Sequence, residues 1–195
     1  MEYKVVTTKN VDFSKAEVAL VDKYVWGFDY MPKTEARLIY VENMGFALRM
    51  DCEEKDPKAT YTNFYDPVYK DSCLEMFLTL DCVRYMNIEM NANGASLMAI
   101  GAGRKERTHI DKIMTPPTVK AGRTENGWFA QAYLTIDEVK ILYPTFTFEK
   151  GAKFRANFYK CGDETAIPHY GMWSKVGTEK PDFHRLEYFG DFEII

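Results

Sequence analysis

VYKDSCLEMFLTLDCVRYMNIEMNANG, residues 68–94, carries two adjoining runs of strict alternation. In the first, Leu74, Met76, Leu78 and Leu80 alternate with Cys73, Glu75, Phe77 and Thr79. In the second, Met86, Ile88 and Met90 alternate with Tyr85, Asn87, Glu89 and Asn91. Successive side chains of a strand point to opposite faces, so this pattern predicts two half-buried antiparallel strands. Residues 81–83 are a short enough connection for a hairpin. One face of the pair is then apolar, and the other presents Glu75, Asn87, Glu89 and Asn91.

Pairing the runs across the turn sharpens the reading. If Thr79 faces Tyr85, then Phe77 faces Asn87 and Glu75 faces Glu89. Directly opposed residues lie roughly 5 Å apart, and like charges there are destabilising. A cation, an arginine, a shared proton or the hydroxyls of a ligand would relieve the pair. The alternative is a two-residue slip that places Glu75 beside Asn87 or Asn91 on a solvated face.

The chain has 195 residues and a net charge of -4, from 25 basic and 29 acidic residues. That length suits one all-β sandwich domain over residues 1–195, and no Gly/Ser- or Pro-rich linker divides it. No basic cluster tracks a strand or helix, which argues against a nucleic-acid partner. Aromatic residues make up 15% of the chain, a content that suits both strands and stacking surfaces. Cys52, Cys73, Cys82 and Cys161 show no CxxC spacing, so the expectation is free, reduced thiols. The N-terminal residues lack an apolar signal core, and no run approaches the length of a membrane span. These features point to a cytoplasmic protein, or to an extracellular one whose leader has been removed.

Other segments repeat the strand pattern. ARLIYV (36–41), a four-residue loop and FALRMDCE (46–53) read as a hairpin with Phe46, Leu48, Met50 and Cys52 facing in. After Gly94, a strand over 95–102 leads to a charged surface loop around 104–111. Gly101-Ala-Gly103 lacks the third glycine of a dinucleotide turn and has no P-loop lysine context. Asn126-Gly127 signals a turn before the strand WFAQAYLTI (128–136). Thr135-Ile-Asp-Glu138 then forms a capping box for one short helix ending before Pro144. KFRANFYK (153–160) alternates again, residues 167–175 read as a loop with exposed Tyr170 and Trp173, and FGDFEII (189–195) closes the chain as a strand. Many short strands and one brief helix give an all-β sandwich.

This order of pieces resembles the family 9 carbohydrate-binding modules and the wider DOMON-like β-sandwich group. The resemblance runs from about Thr34 to Ile195. It is carried by Glu75 in its strand, the NIEMNANG segment, residues 154–159 with Trp173-Ser174, and the FH…FG ending. It implies a jelly-roll or immunoglobulin-like sandwich that binds sugars, as an oligosaccharide or polysaccharide, on a concave polar face. In such modules two aromatic rings clasp a terminal sugar, while carboxylates, amides and an arginine bind its hydroxyls. Carried over, Trp173 is the first ring and Tyr69 the second, although the family's second ring is often a tryptophan. Glu75 matches the strand position of the pattern. Asn87, Glu89 and Asn91 lie where hydroxyl-binding residues are expected. The family's arginine has no counterpart there, and Arg49 or Arg155 would have to substitute. Similar modules carry structural calcium; no ligands for it can be mapped, and no other cofactor is expected.

The chemistry fits the same residues independently. Carboxylates accept from vicinal hydroxyls, amides both donate and accept, and sugar C–H faces pack on aromatic rings. Tyr69, Glu75, Asn87, Glu89 and Trp173 supply that mixture. Two other functions use overlapping residues. A retaining glycosidase would use Glu75 and Glu89 as its carboxylate pair, about 5–5.5 Å apart. The DOMON-like side of the resemblance, where some sandwiches hold haem, implies Met172 with His169 or His184 as axial ligands. No GxSxG, HExxH or Cys-His signature adds a further chemistry, so the reading is a non-catalytic binding protein. A third reading is a sandwich whose sugar site has decayed into an interaction surface. His184 reads as a structural, hydrogen-bonded residue near the closing strand.

Overall fold

The computed structural model describes residues 1–27 and 29–195. The strands are β1 (Glu2–Thr8), β2 (Ala19–Leu20), β3 (Thr34–Val41), β4 (Gly45–Cys52), β5 (Cys73–Thr79), β6 (Tyr85–Asn91) and β7 (Ser96–Gly101). They continue with β8 (Arg107–His109), β9 (Thr118–Arg123), β10 (Trp128–Thr135), β11 (Lys153–Gly162), β12 (His169–Met172) and β13 (Gly190–Ile194). One α-helix, α1 (Ile136–Leu142), follows β10. Its expected capping box is formed: the Glu138 amide donates to Thr135 Oγ1 at 3.2 Å, and the Thr135 amide to Glu138 Oε2 at 2.7 Å. No helix among the described residues is long and apolar enough to cross a membrane.

The fold is an all-β sandwich. Its strand order is β8-β7-β6-β5-β11-β13-β1-β3-β4-β10-β9, with β12 paired to β11 and β2 to β3. Strand β1 belongs to both layers. Its first half runs parallel to β13, and its last residues run parallel to β3. The layer containing β5 and β6 carries the site, and the layer built on β3, β4 and β10 backs it.

The apolar face of the β5–β6 pair points into the sandwich as the alternation requires. Leu74, Met76, Leu78, Met86, Ile88 and Met90 are all buried in the central core. The register is the unslipped one: Glu75 opposes Glu89, and Phe77 opposes Asn87. The opposite face is not freely solvated, because the chain returns across part of it. Phe77, Tyr85, Tyr159, Phe183 and Phe189 form a second apolar cluster there. Cys52, Cys73, Cys82 and Cys161 are free thiols, and only Cys82 is exposed.

Two segments differ from expectation. Residues 167–175 contain strand β12, which lengthens the edge beyond β11. Trp173, expected to be exposed, is 3% exposed and sits in the core against Tyr3, Phe158 and Phe192, with ring centroids 6.1, 6.0 and 5.3 Å away. Asn157 turns it inward by clamping the next residue: its side chain accepts from the Ser174 amide and donates to the Ser174 carbonyl, both at 2.8 Å. Gly190 makes the room. A Cβ there would lie 2.4 Å from Trp173 Cζ3.

Candidate functional site

Cross-strand pairing sorts the outer face of this layer into rows. Opposed residues of antiparallel neighbours share a face. One row runs Tyr170, Cys161, Cys73, Asn91; the next runs Met172, Tyr159, Glu75, Glu89, Leu97. A third runs Asn157, Phe77, Asn87, Ala99, His109. Over the centre of these rows lies a pocket of about 420 Å³, lined by Tyr69, Glu75, Asn87, Glu89, Arg107 and Tyr170 among others. Four of the five residues expected from the sequence therefore converge. Trp173 does not, being in the core on the other side of the layer.

The floor is polar and buried. Asn87 Nδ2 donates to Glu89 Oε1 at 2.8 Å, which leaves Glu89 Oε2 buried without a partner. Burial pushes the Glu75 carboxyl up to about 7, and the neighbouring thiols of Cys161 and Cys73 offset part of that rise. Glu89 is also driven well above its ordinary value, first by burial and then by the charge of Glu75 opposite. Two carboxyls in this position cannot both ionise cheaply, so a proton is retained near neutral pH.

An arginine that the sequence reading passed over, Arg107, lines the pocket. It lies in β8, inside the stretch expected to be a charged surface loop. Arg49 cannot serve: it pairs with Asp51 at 2.6 Å and covers Phe129 in the other layer. Nor does Arg155, which is turned to the carbonyls of Glu187 and Phe189. The Arg107 guanidinium lies 4.3 Å above the Tyr85 ring. Its Nη2 donates to the Ala99 carbonyl at 2.8 Å and to Asn87 Oδ1, while Nε and Nη1 are buried and unpaired. Gly101 lets β8 come this close, since a Cβ there would lie 1.9 Å from the Glu106 carbonyl oxygen.

The walls are aromatic. Tyr69 sits on a short 3-10 turn, Val68–Lys70, and is 36% exposed. Tyr170, half-buried, shares the face of Cys161. Its expected exposure was thus right in direction, but the neighbouring tryptophan was the wrong ring to single out. His184 is hydrogen-bonded as expected, Nδ1 to the Tyr85 hydroxyl at 2.9 Å, and it also lines the pocket. Burial and the charges of Arg107 and Arg104 lower it to about 3, so it is a neutral wall residue.

The haem reading finds its ligands engaged elsewhere. Met172 Sδ accepts from the Val176 amide at 3.0 Å, and His169 is buried against the Lys160 ammonium at 2.5 Å. The glycosidase reading keeps its carboxylate pair, but both members rise from the floor side by side. Glycosidase carboxylates flank the bond they cleave, and these two would meet one side of a ligand.

The model of carbohydrate-binding family 9 matches residues 6–194. The chain belongs to that family. Carbohydrate-binding family 9 consists of non-catalytic modules that bind carbohydrate, and its β-sandwich is the fold seen in this chain. No curated protein matches the chain. Among solved structures, a candidate carbohydrate-binding protein from Bacteroides uniformis ATCC 8492 superposes with a TM-score of 0.82 at 21% identity, covering 100% of this chain and 99% of that one. A family 9 module from Caldicellulosiruptor kristjanssonii in complex with glucose gives 0.69 at 12% identity, over 100% and 96% of the two chains. The same organism's module in complex with cellotriose gives 0.65 at 11%, over 100% and 93%. At these identities the likeness is one of fold.

Proposed function

We propose that the pocket over β5 and β6 binds the end of a saccharide chain without chemical change to it. The observation that carries this is the set of unpaired buried polar atoms around one cavity: Glu89 Oε2, Arg107 Nε and Arg107 Nη1. Buried polar groups in native proteins almost always have partners. A ligand rich in hydroxyls supplies both an acceptor for the guanidinium and a donor for the carboxylate. Glu75 and Asn87 offer further contacts on the same floor, and Tyr69 and Tyr170 supply apolar ring faces at the walls. The solved family 9 complexes with glucose and cellotriose support a neutral hexose or short β-glucan as the first ligands to try.

Calorimetry on folded variants tests this. A disaccharide of about 23 heavy atoms at about 0.3 kcal/mol per atom gives a Kd on the order of 10 μM. Arg107→Ala and Glu75→Gln should each weaken binding by about ten-fold or more, because each removes a charge-assisted contact. Tyr69→Ala should weaken all ligands alike. Trp173→Ala should instead destabilise the fold by about 3–5 kcal/mol, as loss of a core ring does, with affinity of the folded protein kept. Equal binding by wild type, Arg107→Ala and Glu75→Gln places the site elsewhere. Adding or chelating calcium in the same titrations shows whether that ion contributes. Steady turnover of an aryl glycoside, lost in Glu75→Gln, would replace this reading with hydrolysis.

A further inference from the structure

At the floor of the pocket the same strands bring two thiols and the Glu75 carboxylate together. Cys161 and Cys73 are directly opposed on β11 and β5, and Glu75 is the next residue along β5 on that face. The Cys73 and Cys161 sulfurs and a Glu75 carboxylate oxygen all lie within 4.8 Å of one another, and all three residues are buried. Among the described residues this is the one grouping of three or more such donors. Tetrahedral zinc, with metal–sulfur bonds of about 2.3 Å, holds its ligands about 3.5–3.8 Å apart. Binding therefore needs the donors to close by about 1 Å, on strands that are paired on both sides.

The donor set selects the ion. Thiolates are soft ligands that favour zinc and its relatives, whereas calcium and magnesium take oxygen cages. Two sulfurs and one carboxylate leave one tetrahedral position unfilled. Cys161 and Glu75 both line the pocket, which gives the ion a path in. Cys161 Sγ now donates to the Tyr69 carbonyl at 3.3 Å, a contact its thiol gives up when it ionises.

We propose that Cys73, Cys161 and Glu75 form a binding site for one thiophilic divalent cation of the zinc class at the base of the pocket. The site is defined without any ligand in the pocket above it, so it is tested in sugar-free protein and stands or falls apart from the saccharide reading. The experiment uses reduced, chelator-stripped protein in a Cys82→Ser background, which removes the exposed thiol. Cadmium should bind at one equivalent with a thiolate-to-metal charge-transfer absorption. Zinc should displace it at one equivalent and release protons as the thiols ionise. Cys73→Ser and Cys161→Ser should each weaken binding by about 100-fold or more, and Glu75→Gln by about ten-fold. Absence of the charge-transfer absorption in the parent protein overturns the proposal, even if the serine variants fail to fold. So does undiminished binding by folded Cys161→Ser.

Discussion

At the residue scale, the opposed pair of Glu75 and Glu89 fixes a pH dependence whose sign can be worked out. Both carboxyls are raised above their ordinary value of 4.5, Glu75 to about 7 and Glu89 well above that ordinary value. Below the ordinary value each is protonated in the folded and unfolded chain, and the stability it contributes is fully present. As pH rises above about 4.5, the unfolded chain releases those protons freely while the folded chain must keep them or bury charge, so stability is lost from there up through about pH 7, where Glu75 ionises in the folded chain. His184 and His169, lowered to about 3 and about 4, act oppositely: their contribution is present above about 6.5 and lost as pH falls. The window that isolates the carboxyls therefore runs from about pH 6.5, above which the histidines are neutral in both states, up through about 7, where Glu75 ionises. In chelator-treated protein without sugar, the wild-type Tm should fall across it. The double variant Glu75→Gln, Glu89→Gln should be flatter and more stable at pH 9, by about 2–4 °C for each kcal/mol recovered. A wild-type Tm that rises across this window contradicts the buried pair. Glu75, Asn87 and Glu89 were legible because alternation assigns a face without reference to the rest of the chain. Trp173 was not, because its burial depends on Asn157 and Gly190, which are distant in sequence and silent about their partners until the chain has folded.

At the scale of elements, legibility followed length. β5, β6, β10 and β11 each carry enough alternating residues to declare a period, and of the two registers the sequence left open for β5 against β6, the unslipped one is observed. The three residues of β8 and four of β12 are too short to declare any. The two contributions missing from the sequence reading, Arg107 and Tyr170, come from those strands. A local signal for β8 does exist in Gly101, which pairs directly with Arg107. Adding a methyl group there drives it into the Glu106 backbone, so Gly101→Ala should push β8 outward and withdraw the guanidinium. The expected cost is about 1–3 kcal/mol of stability, as for other overpacked sites. Saccharide affinity should drop as far as in Arg107→Ala, although the altered residue lies behind the contact. Calorimetry and thermal unfolding on one sample separate these effects; unchanged affinity in Gly101→Ala means that Arg107 is not placed by this turn.

At the scale of the whole molecule, β1 is the hinge of the organisation. It pairs with β13 through Glu2–Val5 and with β3 through Val6–Thr8, so it spans the joint between the layers. Tyr3 reinforces the joint: its hydroxyl accepts from the Leu38 amide at 2.9 Å, and its ring packs 5.0 Å from Phe192. We expect the chain to unfold as one domain, with coincident transitions by fluorescence and circular dichroism and a calorimetric enthalpy equal to the van't Hoff value. Removing residues 1–8 exposes the unpaired edges of β13 and β3 together, and such edges template association. That variant should lose the single transition and aggregate; a soluble, cooperatively folded product would show that the layers do not depend on β1.

The parallel pairing of β1 and β13 also has a mechanical meaning. Met1 lies beside Asp191 at one end of the pair, and Ile195 beside Val5 and Thr7 at the other. A pull applied through the two chain ends runs along both strands in opposite senses. It loads every rung between them at once, in shear, instead of peeling rungs one by one. Stretched between its ends in a single-molecule force experiment, the protein should rupture at a markedly higher force than when pulled from Ile195 against an attachment at Lys153, which unzips the antiparallel contact of β13 with β11.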